Sequence, residues 1–230
     1  MIKNFFDDAL TNSWTSNGIP ENIFDTNCDW PYSVIDFDND FDGMLEEIKS
    51  LEKTYFVKHR DKDKLKSYNH EGWNAVTLHG IDSTKTEHFD RYGFETQEDA
   101  NYHWTDVCEY LPKLTNFIKS LEYEQYDRVR IMKLEAGGFV MPHTDGKGRI
   151  FGPFNIAINN PEGCQFVFKD HGLVPFKKGR GVFLDLGNEH AVWNNSNEDR
   201  YHVIVHGWIN PKLLNDSITY TNTLYGHNSR

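Results

Sequence analysis

A double-sheet jelly roll with flanking helices is the fold this sequence predicts, and two patterns carry the prediction. After Tyr126 the apolar residues leave helical spacing and fall into short runs, at about 128–135, 139–145, 152–159, 164–169, 172–176, 181–186, 189–194 and 201–209. Gly, Pro, Asn and Asp separate the runs, most clearly at Asn159-Asn160-Pro161-Glu162-Gly163 and Lys177-Lys178-Gly179-Arg180-Gly181. Eight short strands parted by turn residues fit two antiparallel sheets folded on each other. The length of 230 residues suits a single domain, with 128–209 as its jelly-roll core.

The elements before that core are of a different kind. Residues 1 to about 40 are rich in Asn, Asp, Ser and aromatic residues without periodicity, and are expected to wrap the domain as irregular structure. Between Phe41 and Phe56, Leu45, Ile48 and Leu51 recur at three-residue steps among acids and lysines, which predicts an amphipathic helix. Lys58 to Lys66 reads as a solvated loop, and Trp73 to Gly80 as a strand ended by glycine. From about Thr96 to Leu121, Trp104, Val107, Leu111, Leu114, Phe117 and Ile118 keep helical spacing, interrupted near Pro112. Pro211 to Arg230 reads as a polar tail.

Charge and composition narrow the partners. A net charge of −11 gives no overall attraction to phosphate backbones or anionic membranes, so neither a nucleic acid nor a membrane is expected as partner. No run of about 18 apolar residues occurs, and Met1-Ile2-Lys3-Asn4-Phe5-Phe6-Asp7-Asp8 lacks the apolar core of a signal peptide. Cys28, Cys108 and Cys164 form no Cys-x-x-Cys pair, so neither a disulfide framework nor a thiolate zinc site is indicated, and a cytoplasmic setting is expected. Aromatic residues make up 14% of the chain, enough to pack a barrel and its helices with large rings.

Two short motifs carry chemistry. In Met141-Pro142-His143-Thr144-Asp145-Gly146 the imidazole and the carboxylate are two residues apart, so on an extended strand they share a face. Alone, such a pair is more often a surface turn with two solvated polar residues. His190, in Asn188-Glu189-His190-Ala191-Val192-Trp193, lies 45 positions after Asp145 and supplies a third ligand. Two histidines and one carboxylate on one face of an ion leave three positions open, the arrangement of non-haem Fe(II) oxygenases. Arg200 follows ten positions after His190, at the start of the last apolar run, where its fork can clamp a carboxylate beside the metal.

In the order of these residues along the predicted strands, the chain resembles the 2-oxoglutarate/Fe(II)-dependent dioxygenases, most of all the aspartyl/asparaginyl beta-hydroxylase and prolyl hydroxylase group. The resemblance runs from about Arg128 to Trp208 and rests on His143-x-Asp145, His190 and Arg200. It implies a double-stranded β-helix, cupin-like, that uses Fe(II), 2-oxoglutarate as cosubstrate and O₂. His143, Asp145 and His190 are then metal ligands and catalytic residues, and Arg200 binds the far carboxylate of 2-oxoglutarate. The expected reaction hydroxylates a C–H bond of a small molecule or an amino-acid side chain, with a peptide or protein substrate as the alternative. A cupin-like metal-binding module without turnover is the rival outside enzymes. Asp145 departs from the animal aspartyl/asparaginyl hydroxylases, which have glycine there, and this pulls the expectation towards the prolyl and other amino-acid hydroxylases. It also favours hydroxylation over halogenation, since related halogenases carry a small residue at that position.

The remaining polar residues admit two readings each. Where the animal enzymes carry basic residues that help hold 2-oxoglutarate, this chain reads Gly152-Pro153-Phe154-Asn155-Ile156. Asn155 is a candidate cosubstrate donor, or a strand asparagine satisfying its own backbone. Arg128 and Arg130 share a strand face and are candidates for a substrate carboxylate, with surface ion pairs as the plainer role. His202 and His206 share a face of the last strand and are expected to be buried and hydrogen-bonded, bordering the pocket being the other reading. Trp193 and Trp208 are expected to pack in the barrel. Asp170-His171 is rejected as a metal pair, because adjacent strand residues face opposite sides.

Overall fold

The computed structural model describes residues 2–11, 30–51, 55–59, 69–121, 123–145, 153–209 and 211–225. Cys28, most of the Lys58–Lys66 stretch and Gly146 lie outside them. In chain order the elements are α1 (Ile2–Thr11), β1 (Tyr32–Asp36), α2 (Phe41–Ser50), β2 (Val57–Lys58), β3 (His70–Gly80), β4 (His103–Trp104) and α3 (Pro112–Lys119). Then follow β5 (Tyr123–His143), β6 (Phe154–Ala157), β7 (Cys164–Phe168), β8 (Gly172–Leu173), β9 (Arg180–Leu184), β10 (His190–Asn194), β11 (Arg200–Ile209) and α4 (Pro211–Tyr225). Short 3-10 turns cover Phe89–Tyr92 and Asp106–Tyr110.

The strands form the predicted double-stranded β-helix, and β5 is its spine. Strand order is β1-β9-β6-β11-β5-β10-β7-β8, all antiparallel, with β3 along the other side of β5. The first half of β5 pairs with β11, Leu134 facing Arg200, whereas the second half pairs with β10, His143 facing His190. One long strand therefore joins the two arms of the strand order. The runs 128–135 and 139–145, read as two strands, are one strand bent at Gly137-Gly138. Gly137 has φ of +76°, and a Cβ on Gly138 would lie 2.8 Å from Glu135 O and 2.9 Å from Glu71 O. Only glycine allows the backbones to approach so closely there.

Alternation along β5 and β11 sends one face to a core and the other to a cavity. Val129, Ile131, Val203 and Val205 join the main core with Met44 and Ile48 of α2 and Leu114 and Ile118 of α3. Burial of each such side chain stabilises the fold by roughly 1.5–3 kcal/mol. Asp40 caps α2 by accepting from the Gly43 N–H at 2.9 Å, and the helix stops at Ser50, short of Phe56, where Leu51 turns extended. Pro112 begins α3 and does not interrupt it, since the first helical position needs no N–H donor. The stretch before it is turn, the short strand β4 that holds Trp104, and 3-10 structure rather than continuous helix.

Both chain ends hold more structure than the reading of irregular wrap and polar tail. In α1, Phe6 and Ala9 pack on Val167 and Ala191, with the Phe6 ring edge-on to Trp193 at 5.8 Å. α4 buries Leu213, Ser217, Ile218 and Thr221, and docks on β1 through hydroxyls: Val34 N donates to Thr221 Oγ1 at 2.7 Å, and the Ser33 and Ser217 hydroxyls are 2.7 Å apart. A buried stripe made half of Ser and Thr does not stand out as apolar periodicity. Trp208, expected inside, is 59% exposed on β11, and Trp193 packs outside the barrel against α1. β8 is shorter than the 172–176 run, because the chain leaves the sheet after Leu173.

Candidate metal and cosubstrate site

His143, Asp145 and His190 converge, their ligand atoms all within 4.8 Å of one another. His143 Nε2 lies 3.5 Å from Asp145 Oδ1, and the two imidazole rings are 4.3 Å apart. Two atoms each about 2.1 Å from one ion can be no more than about 4.2 Å apart, so small side-chain rotations complete the ring. Local structure sets each ligand. His190 is 3% exposed, its ring stacked on Phe166 at 5.3 Å and edge-on to Phe168 at 6.0 Å. The Asp145 N–H donates to Leu186 O at 3.0 Å, tying the end of β5 to the turn that leads into β10.

The tautomers suit a cation. His143 Nδ1 is 2.8 Å from Met141 O, and His190 Nδ1 is 2.9 Å from Asn188 O. A carbonyl only accepts, so each Nδ1 carries the hydrogen and each Nε2 lone pair is left for a metal. Burial, and then the nearby His143, hold the His190 imidazole well below its usual range, so it is neutral, the form that binds metal. The donor set fits Fe(II) on these grounds.

The three residues border a cavity of about 390 Å³, within the range of small-molecule sites. Arg200 lines it, 2% exposed. Arg200 Nε donates to Asn160 Oδ1 at 3.2 Å, an Nη donates to His202 Nδ1 at 3.0 Å, and the guanidinium lies over the Phe176 ring at 4.8 Å. Among the described residues no carboxylate lies within ion-pair distance of it. A buried cation among neutral groups keeps its charge available to an anion.

Asn155, Arg128 and Arg130 line the same cavity, so all the candidates share one space. The Asn155 amide donates to Pro153 O at 3.1 Å, which is its backbone role, while its side chain still borders the cavity. An Nη of Arg130 donates to Thr86 O at 2.9 Å and lies 3.2 Å from His59 Nε2. His202 and His206 border the cavity as well, and His202 is also buried and hydrogen-bonded. Asp170-His171 stays apart from the ligand group, with His171 edge-on to Phe168.

The reading from sequence missed His59, Trp73, Glu87, His88, Asp90, Arg91 and Asp185, which also line the cavity. Trp73 sits on β3, which pairs with β5 beside the site, and its place in a strand was the one signal available.

Residues 38–209 match the aspartyl/asparaginyl beta-hydroxylase family. The chain belongs to that family. The match is wider than the Arg128–Trp208 stretch that carried the resemblance and takes in α2 and β3. As a member of the aspartyl/asparaginyl beta-hydroxylase family the protein is an enzyme of the 2-oxoglutarate- and Fe(II)-dependent dioxygenase class, with Fe(II), 2-oxoglutarate and O₂ as its cofactor and cosubstrates. Comparison with curated proteins returned no match. Among solved structures, a prolyl hydroxylase from Trichoplax adhaerens, in complex with a hypoxia inducible factor oxygen degradation domain peptide fragment, is similar at 12% identity and a TM-score of 0.48, over 91% of this chain and 92% of that one. The viral collagen prolyl hydroxylase of Paramecium Bursaria Chlorella virus-1 is similar at 16% identity and a TM-score of 0.43, over 77% and 96%. A Pseudomonas putida prolyl-4-hydroxylase is similar at 13% identity and a TM-score of 0.40, over 90% and 99%.

Proposed function

We propose that this protein hydroxylates a C–H bond of a small molecule or amino-acid side chain, with His143, Asp145 and His190 as metal ligands and Arg200 as the clamp for 2-oxoglutarate. The carrying observation is the pairing of a converged His-Asp-His group with a buried arginine that has no acidic partner among the described residues, both on one cavity. Bound Fe(II) supplies the oxidising chemistry, with O₂ consumed and 2-oxoglutarate decarboxylated to succinate. This chain's residues do the rest. Arg200 holds the far carboxylate of the cosubstrate with a charge-assisted fork. Asn155 offers its amide to the same ligand, and Arg128 and Arg130 receive a carboxylate of the substrate. The whole chain then acts as one oxygenase domain.

A cavity of about 390 Å³ favours a small substrate over a folded polypeptide. The test is a screen of Fe(II)-loaded protein against free amino acids, small carboxylates and short peptides, scored by succinate release and by the product's gain of one oxygen. Turnover on free compounds supports the reading. Turnover on peptides alone reassigns the substrate class, and no succinate from any of them, with metal bound, leaves a binding module.

A further inference from the structure

Arg200 and His202 stand two residues apart on β11, on the face that lines the cavity. We propose that His202 is a positioning residue for Arg200 and a second donor to the anion Arg200 binds; this rests on the cosubstrate reading above. The guanidinium is held by three neutral groups, the Asn160 carbonyl oxygen, the Phe176 ring and His202 Nδ1. All three fix its orientation without neutralising its charge. A carboxylate in place of His202 would hold the arginine as firmly but would spend its charge within the protein.

The hydrogen bond also fixes the imidazole. Arg200 can only donate, so Nδ1 of His202 accepts, and the ring hydrogen sits on Nε2. His202 is 6% exposed, and among the described residues its Nε2 makes no hydrogen bond. An N–H donor without a partner, on the wall of a cavity and beside a guanidinium, is suited to the same anion. Burial, with the charges of Arg200 and Arg130 adding to it, keeps the ring neutral, so it retains the Nδ1 lone pair that Arg200 needs.

The test compares two ligands that share one end. 2-Oxoglutarate and 2-oxobutyrate both chelate Fe(II) through a 2-oxo acid, but only the first has a second carboxylate. Each is titrated anaerobically into the Fe(II) protein and followed by the visible absorbance of the chelate. In His202→Leu, binding of 2-oxoglutarate weakens by about tenfold or more while 2-oxobutyrate stays within about twofold. His202→Asn, whose carbonyl oxygen stands near the Nδ1 position but which has no donor where Nε2 stood, recovers only part of the loss. Should the leucine variant fail to fold, His202→Gln, which keeps a donor near the Nε2 position but lacks the acceptor at Nδ1, is expected to weaken 2-oxoglutarate binding by a smaller factor and again to spare 2-oxobutyrate. Unchanged 2-oxoglutarate affinity, or an equal loss for both ligands, overturns the proposal. A parent protein that gives no absorbance with either acid overturns the cosubstrate reading and this assignment with it.

Discussion

His190 is fixed before any metal arrives: two phenylalanine rings and one backbone carbonyl hold its imidazole in one orientation. Such preorganisation means that removing the side chain costs the full ligand contribution. His190→Ala is expected to weaken Mn(II) or Fe(II) binding more than about 100-fold, beyond what loss of an outer partner brings, as measured by calorimetry or electron paramagnetic resonance. Arg200 answers to a different ligand. Lysine there keeps the charge but loses the planar fork, so Arg200→Lys should raise the dissociation constant for 2-oxoglutarate by about tenfold or more and leave metal affinity nearly unchanged. Equal affinity in variant and parent would remove Arg200 from the role. His143, His190 and Arg200 were legible because each sits at a strand end, where period-two alternation and turn residues fix which face it takes, and Asp145 because it follows His143 two residues past the end of β5. His88, Asp90 and Arg91 were not, because they come from a 3-10 segment without periodicity and reach the cavity only through the tertiary fold.

At the scale of elements, the bend in β5 decides whether the site exists at all, since one half of the strand pairs with the strand of Arg200 and the other ends at His143. Gly138→Ala would press a methyl group against two carbonyl oxygens. It is expected to cost about 1–3 kcal/mol in urea unfolding and to weaken metal binding as well, because relief of the clash moves the second half of the strand. A loss of stability with unchanged metal affinity would show that the two halves are less coupled than their continuity implies. The glycine pair is visible in the sequence, but a turn and a tight bend use the same residues, so the sequence does not tell a gap between two strands from a bend in one. α4 escaped for another reason: its buried face relies on Ser217 and Thr221, whose hydroxyls satisfy β1, and an apolar count passes over them.

Over the whole molecule, buried and half-buried histidines link stability to pH. Burial lowers the pKa of His79, His171 and His202, so the unfolded chain takes up protons before the folded one does. Their contribution is fully present above the unfolded value of about 6.5 and is lost as pH falls below it, at no more than about 1.4 kcal/mol per pH unit for each histidine. Urea midpoints of the metal-free protein should therefore fall between pH 7.5 and 5.5, and a flat or rising profile would contradict the burial of neutral imidazoles. The docking of α4 has a separate consequence. β1 ends the strand order, and the Thr221 hydroxyl accepts from one of its N–H groups, Val34, with the helix laid along the strand. A chain cut after Ile209 would bare that margin as a template on which another molecule could add a strand. Light scattering should then show concentration-dependent self-association of the shortened chain beyond that of the full one, which makes the last helix a guard against polymerisation.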